Sequence, residues 1–297
     1  MEPCVSVILP SYNRAKLLPE IIPSYLQKEV GEIIVIDDAS ADNTKEVVEG
    51  LMKKESRIRY IQLAKNSKQP HAQNVGVAAV RYPYIYFGDD DSFLTEGTIG
   101  NLLRVLKEER CDIAAAKALY MHSEDELQDI SAYISKETSG KEISENDIFF
   151  DFDKLKTDTT LHYGHLSRID MCQACFMLRT DLAQKLNFDE NLKWNAYREE
   201  TDYLLQAIKQ GAVLYGVPRA FQINLPRNFV KGGGAHVHGK LVTLMHTVYN
   251  NHYFLKKHYS FLKETGRVKR PVWMLELNFI WNETFGRLFN LLKRRIN

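Results

Sequence analysis

Three adjacent carboxylates, Asp89, Asp90 and Asp91, directly follow the apolar run 84–87 and Gly88. A short apolar run that ends at a turn residue is typical of a buried strand. Adjacent carboxylates repel one another, so folding them together is costly unless a cation or hydrogen-bond donors stabilise them. Mg²⁺ and Mn²⁺ prefer oxygen ligands and often share them with phosphate. The triplet therefore predicts a metal–diphosphate site or, if it stands alone, a solvated acidic turn.

Polar residues also follow two other apolar runs. Residues 11–14 (Ser-Tyr-Asn-Arg) come shortly after the run 5–9, and Asp37 and Asp38 directly follow the run 32–36. In an open parallel sheet, ligands bind beyond the carboxyl ends of the strands. Two acidic clusters, each at a predicted strand end, favour a binding site over a chance acidic turn.

Apolar runs alternate with amphipathic segments along most of the chain. We predict strands at 5–9, 32–36, 57–63, 84–87, 112–120, 171–178 and 212–217. We predict helices at 17–27, about 42–54, 71–80, from 102, 181–186, 199–210, 241–262 and 272–296. Strands that are apolar on both faces and alternate with helices indicate an α/β fold, with a mostly parallel central sheet flanked by helices.

Composition restricts the class of protein further. The 297 residues are 44% hydrophobic and 26% charged with a formal net charge of +1, which gives no electrostatic footprint for nucleic acid. The four cysteines, at positions 4, 111, 172 and 175, are too few for a disulfide framework, and Cys172-x-x-Cys175 has no second pair to complete a zinc site. We expect buried free thiols and a reducing compartment. Without a signal-peptide pattern or a run of about 18 apolar residues, we expect a cytoplasmic protein.

Three further segments allow more than one interpretation. Residues 122–160 contain eleven acids against four Lys or Arg, which favours a solvated insertion, although a mobile cover is an alternative. The loop 231–239 contains four glycines, three of them consecutive, together with His236 and His238, which either ligate a metal or are incidental surface histidines. The aromatic helix 272–296 ends in Lys-Arg-Arg and can lie on an anionic membrane surface, although packing on the core or on a second subunit is favoured.

Six segments together resemble the family 2 glycosyltransferases, which have the GT-A fold. They are residues 5–14, 32–40 and 88–91, the "aRNxG"-like segment 71–76, the "FDE" segment 188–190 and the "EDxDL"-like segment 198–204. The resemblance covers about residues 4–217 and implies a catalytic domain over 1–225. This domain comprises a nucleotide-sugar half (1–121), the acidic insertion (122–160) and an acceptor half (161–225), followed by a helical extension over 226–297.

The resemblance implies nucleotide-sugar contacts at Pro10, Ser11, Tyr12, Asn13, Arg14, Asp38, Gln73, Asp89 and Asp90. Tyr12 would stack on uracil, and Asp38 would accept the imide proton that lies between the two ring carbonyls. Asp89 would be a spacer. Gln73 replaces an arginine that is common in the family, and Gly88 replaces the first aspartate of the metal motif; Lys65, Lys68 or Arg227 would then substitute for the missing diphosphate contact.

The resemblance also implies the chemistry. Asp91, with Asp90 and either His236 or His238, would hold the Mn²⁺ or Mg²⁺ that neutralises the departing diphosphate. Glu200, or Glu199 one position away, would take the proton of the acceptor hydroxyl while its oxygen attacks the anomeric carbon with inversion. Asp202 would be structural, and helix capping alone would also explain all three acids at this helix start.

The expected function is transfer of a sugar from a UDP-sugar to a glycan or lipid-linked acceptor in cell-surface polysaccharide or glycoconjugate synthesis. The expected location is the cytoplasm or the inner face of the membrane, with membrane or homodimer contact through the last helix. Two alternatives remain: a nucleotidyltransferase, against which the glycine-free turn 10–14 argues, and a non-catalytic nucleotide-sugar-binding protein. A retaining enzyme is a variant of the first hypothesis.

Overall fold

The structure is a computed structural model that describes residues 2–144, 147–230 and 239–286. In these ranges, nine strands form a central sheet and two form a separate hairpin. The strands are β1 Val5–Ser11, β2 Val30–Asp37, β3 Ile58–Gln62, β4 Tyr84–Phe87, β5 Ser92–Leu94, β6 Ile113–Tyr120, β7 Phe150–Asp151, β8 Lys156–Thr157, β9 Ser167–Ile169, β10 Phe176–Arg179 and β11 Leu214–Asn224.

Helices cover both faces of the sheet and form the end of the described chain. They are α1 Leu18–Tyr25, α2 Thr44–Met52, α3 Lys68–Ala79, α4 Thr98–Glu108, α5 Ile130–Glu137, α6 Thr180–Ala183, α7 Glu199–Lys209, α8 Lys240–Glu264 and α9 Val272–Trp281. A 3₁₀ turn at Glu124–Leu127 precedes α5, and a π-helical turn at Asn282–Gly286 follows α9.

The sheet order is β3-β2-β1-β4-β10-β6-β11-β5, with β9 paired to β11. Strands β1 to β4 are mutually parallel, whereas β10 runs antiparallel to both β4 and β6. Because β11 is parallel to β6, six strands share one direction and β5, β9 and β10 oppose it. The predicted α/β class with a mostly parallel sheet is confirmed.

Strand residues pack alternately on the two faces of the sheet. On β1, Val5, Val7 and Leu9 belong to one buried cluster, while Ile8 belongs to the other. This alternation is the pleat of a strand that is covered on both sides. Gly76 of α3 lies against Ile8, where an added Cβ would be 2.4 Å from Cγ2. The glycine of the "aRNxG"-like segment therefore allows the helix to approach the strand closely.

The prediction of a solvated insertion at 122–160 is wrong for its second half. Phe149, Phe150, Phe152 and Leu155 are at most 3% exposed and belong to the main core. The acids misled the prediction because they alternate with aromatic residues: the aromatic side chains fill the core, whereas Asp151 is only partly buried. The buried Lys117 of β6 holds this segment by donating a hydrogen bond to the Thr159 carbonyl oxygen at 2.9 Å.

The ends of two predicted strands differ from the structure, whereas the prediction for two cysteines is confirmed. The strand predicted at 171–178 begins only at Phe176, and β11 continues to Asn224 instead of ending at 217. Cys172 and Cys175 are buried free thiols, as predicted.

The helical extension shares the core of the sheet. Phe254, Leu255 and Leu262 of α8 and Leu275 and Phe279 of α9 are at most 4% exposed and belong to the same cluster as the sheet residues. In the described ranges, no helix combines the length and the apolar character that crossing a bilayer requires.

Candidate functional site

Strand β4 brings Gly88 and the aspartate triplet to the carboxyl edge of the sheet. An added Cβ on Gly88 would lie 2.9 Å from the buried Tyr25 ring. The Tyr25 hydroxyl donates to the Asp89 carbonyl oxygen at 3.1 Å and accepts from the Asp89 amide at 3.2 Å. The departure from the family pattern at position 88 therefore has a steric cause, since Tyr25 fills the space of a side chain.

Asp90 is bound to the end of β1. Its Oδ1 accepts from Arg14 Nε, and its Oδ2 accepts from the Tyr12 amide, both at 3.2 Å. The Arg14 side chain is 2% exposed and that of Asp90 is 16% exposed. Part of the negative charge of the triplet is thus balanced by a residue of the segment 11–14.

Asp91 differs from its two neighbours. In the described part of the chain, its carboxylate receives no hydrogen bond or ion pair from another residue, and only its carbonyl oxygen is engaged, by the Leu225 amide at 2.9 Å. Asp89, in contrast, accepts from Gln222 Nε2 at 2.9 Å, and Gln222 in turn accepts from the Tyr86 hydroxyl at 2.6 Å. Asp91 is therefore the member of the triplet that is best placed to bind a ligand.

The pKa values of the triplet reflect this crowding. Burial, followed by the charges of Asp91, Glu200 and Asp90, raises the pKa of Asp89 well above its usual value. Burial raises the pKa of Asp90 to about 6 although Arg14 opposes the change, and burial also raises that of Asp91. Such a cluster gains free energy from binding protons or a cation.

The ends of β1 and β2 are fixed to each other by hydrogen bonds. Asn13 has a φ of 55°; its amide donates to Ser40 Oγ and its Oδ1 accepts from the Ala41 amide, both at 2.8 Å. The Ser11 carbonyl oxygen accepts from the Asp38 amide at 2.8 Å. The predicted residues 10–14 therefore lie beside Asp38 at one edge of the sheet.

The Asp38 carboxylate lies between β2 and the start of α3. Its oxygens accept from the Ser67 amide at 2.6 Å and the Lys68 amide at 2.9 Å. Burial raises the pKa of Asp38, whereas these two amide donors lower it. The backbone of the segment before α3 thus fixes the orientation of this carboxylate.

On α3, Gln73 is 3% exposed, and its Oε1 has no hydrogen-bond partner in the described part of the chain. Asn74 exchanges two hydrogen bonds with the backbone of Phe188, both at 2.9 Å, and also donates to Glu190 Oε1. The "aRNxG"-like and "FDE" segments, which are far apart in the sequence, are therefore joined through Asn74.

The start of α7 depends on the residue before it. Arg198 has a φ of 81° and is buried; its Nε donates to Asn251 Oδ1 at 3.1 Å and its NH2 group donates to the Leu155 carbonyl oxygen at 2.7 Å. Its guanidinium carbon also lies 4.6 Å from the centroid of the Tyr197 ring. The turn that presents Glu199 and Glu200 is therefore held by contacts to α8 and to the insertion.

The two glutamates have different environments. Glu199 is 6% exposed, its Oε2 lacks a partner, and burial followed by the charges of Glu200 and Asp89 raises its pKa well above the usual value. Glu200 is only partly buried, and burial raises its pKa. The charge of Glu200 raises the pKa of Asp89, and the charge of Asp89 raises that of Glu199, so α7 and β4 place these carboxyl groups within electrostatic range of one another.

Asp202 is fully engaged by α8. Its Oδ1 lies 2.6 Å from His258 Nε2, and Lys257 Nζ lies 2.8 Å from the same oxygen. Lys257 also contacts Asp189 at 2.6 Å, which links α7 to the "FDE" segment. These contacts agree with a structural role for Asp202.

A third contact joins α8 to the loop before α7. Asn250 accepts from the Lys193 amide at 2.8 Å and donates to the Lys193 carbonyl oxygen at 2.7 Å. We call Asn250, Asn251, Lys257 and His258 the α8 clamp. Sequence reasoning missed all four residues because a polar residue on a long helix does not reveal its partner.

Sequence reasoning also missed Tyr120 at the end of β6. This side chain is 48% exposed, and Gln173 Nε2 donates to its hydroxyl at 3.4 Å. Desolvation, then the charges of Cys175, Asp89 and Glu200, raises the pKa of Tyr120, which indicates that it lies near the carboxylates. The only sequence signal for Tyr120 was its position as an aromatic residue at the end of a predicted strand.

The described residues contain no group of three or more His, Cys, Asp or Glu side chains that could hold a metal ion by themselves. Mg²⁺ and Mn²⁺ sites that share the ion with phosphate commonly use only one or two carboxylates, so Asp91 and Asp90 fit such an ion. The predicted ligands His236 and His238 lie outside the described residues.

A cleft of about 790 Å³ lies elsewhere, between α1 and α4, lined by residues that include Leu26, Glu29 and Arg104. It contains none of the predicted site residues. The carboxylate edge, not this cleft, is where the chemically active groups meet.

Comparisons with known proteins bear on the family and the fold. The family model described as "Glycosyl transferase family 2" matches residues 6–186. The "Uncharacterized glycosyltransferase EpsJ" of Bacillus subtilis is 26% identical over 214 residues, which cover 71% of this chain and 57% of EpsJ. The "GalNAc(5)-diNAcBac-PP-undecaprenol beta-1,3-glucosyltransferase" of Campylobacter jejuni is 39% identical over 110 residues, or 36% of this chain and 35% of the relative. The chain thus matches little more than half of the first relative's length and about a third of the other's.

Among solved structures, GalNAc-T7 with UDP, GalNAc and Mn²⁺ superposes with a TM-score of 0.65 at 13% identity, covering 96% of this chain and 57% of that chain. At this identity the likeness shows the fold alone. Because the matched residues 6–186 make up more than half of the 297 residues, the protein belongs to glycosyl transferase family 2.

Proposed function

We propose that the protein is an inverting, metal-dependent glycosyltransferase that moves a sugar from a UDP-sugar to a hydroxyl of a glycan or lipid-linked acceptor. One observation carries the proposal: the aspartate triplet at the end of β4 and the two glutamates at the start of α7 lie close enough for their charges to raise one another's pKa values. A leaving diphosphate and an attacking hydroxyl need these two kinds of carboxylate on opposite sides of the transferred sugar.

The residues on the donor side are suited to binding a nucleotide. Asp38 lies beside residues 10–14 with its orientation fixed by two backbone amides, which suits an acceptor for the uracil imide proton. Tyr12 is partly exposed and free to stack through its ring, while its amide is used by Asp90. Arg14 is engaged with Asp90, so its role toward the donor would be to orient that carboxylate.

Asp91, together with Asp90, would hold Mn²⁺ or Mg²⁺. Asp91 has no competing partner in the described part of the chain, and the raised pKa values of the triplet favour a bound cation. When bound, the metal would neutralise negative charge on the leaving nucleoside diphosphate. The neighbour GalNAc-T7, solved with UDP and Mn²⁺, has the same fold and supports this choice.

Glu200 is the better candidate for the general base. A base must be deprotonated and must reach the hydroxyl. Burial and the charges of Glu200 and Asp89 raise the pKa of Glu199 well above its usual value, which disfavours the deprotonated form, whereas Glu200, whose pKa burial also raises, is partly exposed and can contact an acceptor. A single attack assisted by Glu200 inverts the anomeric configuration.

The relatives suggest the acceptor class. The Campylobacter relative is named for action on an undecaprenol-linked saccharide, and a lipid-linked or polymeric glycan is our proposal for this chain. A cytoplasmic location remains a prediction from the sequence.

The test is a donor screen with the full chain. UDP with Mn²⁺ is expected to raise the melting temperature, because a ligand that binds only the native state stabilises it. Asp91→Asn should abolish the metal-dependent part of this shift, while Asp158→Asn, an exposed acid of the insertion, should retain it.

UDP-, GDP- and dTDP-sugars are then compared by release of the nucleoside diphosphate. No shift with any nucleoside diphosphate would contradict the proposal. Pyrophosphate release would instead indicate a nucleotidyltransferase, and binding without donor turnover a non-catalytic binding protein.

A further inference from the structure

Helix α9 is apolar on two opposite sides. Leu275 and Phe279 are at most 4% exposed and pack into the core. Trp273, Leu277 and Ile280 point outward and are 57%, 58% and 39% exposed. A surface helix normally has a polar outer side, and a contiguous exposed apolar patch usually marks an interaction site. Core packing accounts for the apolar residues on the inner side of α9 but not for those on its outer side.

Helix α8 continues this outer apolar surface. Leu241, Met245 and Tyr249 recur every four residues and are 70%, 63% and 43% exposed. One turn further along α8, His252 Nδ1 lies 2.6 Å from Glu276 Oε1 of α9.

The two helices are antiparallel. His252 of α8 pairs with Glu276 of α9, whereas Tyr259, further along α8, contacts the carbonyl oxygen of Arg270, which lies before α9. Tyr249, one turn before His252, and Ile280, one turn after Glu276, therefore lie on the same side of the His252–Glu276 pair. The six exposed residues, which we call the outer face, are Leu241, Met245, Tyr249, Trp273, Leu277 and Ile280.

Basic residues border the outer face at one end. Lys256 follows His252 by one turn on α8, and Lys269 and Arg270 directly precede α9; all three are exposed. The charge of the border is therefore complementary to anionic headgroups.

We propose that the outer face lies on the surface of an anionic phospholipid bilayer. The apolar side chains enter the boundary between headgroups and acyl chains, Trp273 takes the interfacial position that tryptophan prefers, and the basic border contacts lipid phosphates. Trp194, whose ring lies 5.1 Å from that of Tyr249, connects the outer face to the loop that precedes α7. A membrane-bound acceptor would thus approach from the side of this loop.

The proposal is independent of the donor chemistry, and its test requires no nucleotide sugar. The full chain is floated with phosphatidylcholine vesicles that contain or lack phosphatidylglycerol. Binding is expected with the anionic vesicles. Leu277→Glu and Leu241→Glu, on different helices, should each lower the partition coefficient by about tenfold or more. Lys256→Glu should lower it about fivefold on anionic vesicles alone.

Ile148→Glu is the matched control, because Ile148 is 62% exposed and lies in the insertion, outside the outer face. It should bind vesicles as the unaltered protein does. Circular dichroism verifies that each variant folds. Two glutamate variants are used so that the test still holds if one of them does not fold. No binding of the unaltered protein, or binding that both glutamate variants retain, would overturn the proposal. A homodimer in sedimentation velocity that Leu277→Glu dissociates would assign the outer face to a second copy instead.

Discussion

The two sides of the candidate site are built by different means. On the donor side, the turns after β1 and β2 are held by neighbouring βα units, as in the bonds of Asn13 to Ser40 and of Asp38 to the Ser67 amide. On the acceptor side, the start of α7 is held by a helix more than fifty residues further along the chain, as in the Arg198–Asn251 bond.

This difference shows which part of the site the sheet supplies. Parallel strands bring the donor-side residues to one edge, and short turns fix them with backbone amides. The sheet does not determine the position of Glu200, because Arg198 before it has a left-handed backbone and a buried charge that need the α8 clamp. A change in the clamp should therefore affect transfer and leave nucleotide binding intact.

The largest expected effect is a loss of turnover caused by a change on the acceptor side. Glu200→Gln should lower turnover by about 10²–10⁴-fold, the usual contribution of general base catalysis, and leave the thermal shift with UDP and Mn²⁺ unchanged. Glu199→Gln, a change at a buried carboxyl whose raised pKa favours the neutral form, should lower turnover much less. Turnover and thermal shift are measured on the same preparations. If Glu199→Gln is the more damaging change, the base has been assigned to the wrong residue.

The second effect tests the clamp. Asn251→Ala removes the acceptor for Arg198 Nε and leaves a buried donor unsatisfied, so unfolding free energy should fall by about 1–3 kcal/mol. Turnover should fall about tenfold because the start of α7 loses its fixed position. His252→Ala, at the next residue but on the exposed side of α8, is the control and should change both quantities little. Equal losses of turnover and UDP binding would show that the two sides are not separable.

The third effect tests the donor side. Gly88→Ala places a methyl group 2.9 Å from the Tyr25 ring and should cost about 1–3 kcal/mol of unfolding free energy through overpacking. Urea denaturation measures this loss. Tyr25→Leu combined with Gly88→Ala should lose less than the sum of the single changes, because the two residues are in contact. Additive losses would mean that Tyr25 is not the cause of the glycine at this position.

The smallest effect is on the pH dependence of stability. Burial lowers the pKa of His258, although Asp202 opposes the change, and Lys209 and Lys257 also lower it. The unfolded chain therefore binds more protons at this histidine, so stability is present above the ordinary histidine pKa of about 6.5 and is lost as the pH falls below it. The free energy of unfolding, measured by urea denaturation across this pH range, should fall less steeply for His258→Asn than for the unaltered protein. His165→Asn changes a histidine that is 60% exposed and should show the same fall as the unaltered protein. Identical curves for all three proteins would exclude His258 as the source.

The donor side could be predicted from the sequence because its residues follow apolar strands that are parallel to one another. The alternation of strands and helices gives the parallel sheet, and the sheet aligns the strand ends, as in the pairing of Ser11 with Asp37. Position alone therefore predicted that the acidic triplet and residues 11–14 lie at the same edge of the sheet, where Asp90 contacts Tyr12 and Arg14.

Other parts depend on packing that the sequence does not reveal. Gln222 was missed because the predicted strand stops before Pro218, whereas β11 continues past an irregularity between Gly216 and Phe221 where Arg219 has a φ of 55°. A proline is tolerated at such an irregularity. The partners of the α8 clamp were not predictable, because the amphipathic pattern of a helix fixes its buried side but not the residue that it meets.

The position of the α8 clamp in the chain has a consequence for synthesis. Residues 1–230 leave the ribosome before α8, so the βα units around Asp38 and Asp91 can assemble while Arg198 and Asp202 still lack their partners. With the function proposed above, a nascent chain would form the proposed nucleotide site first and fix the proposed general base only after His258 has emerged. A donor-binding stage would then precede a transfer-competent stage at every round of translation.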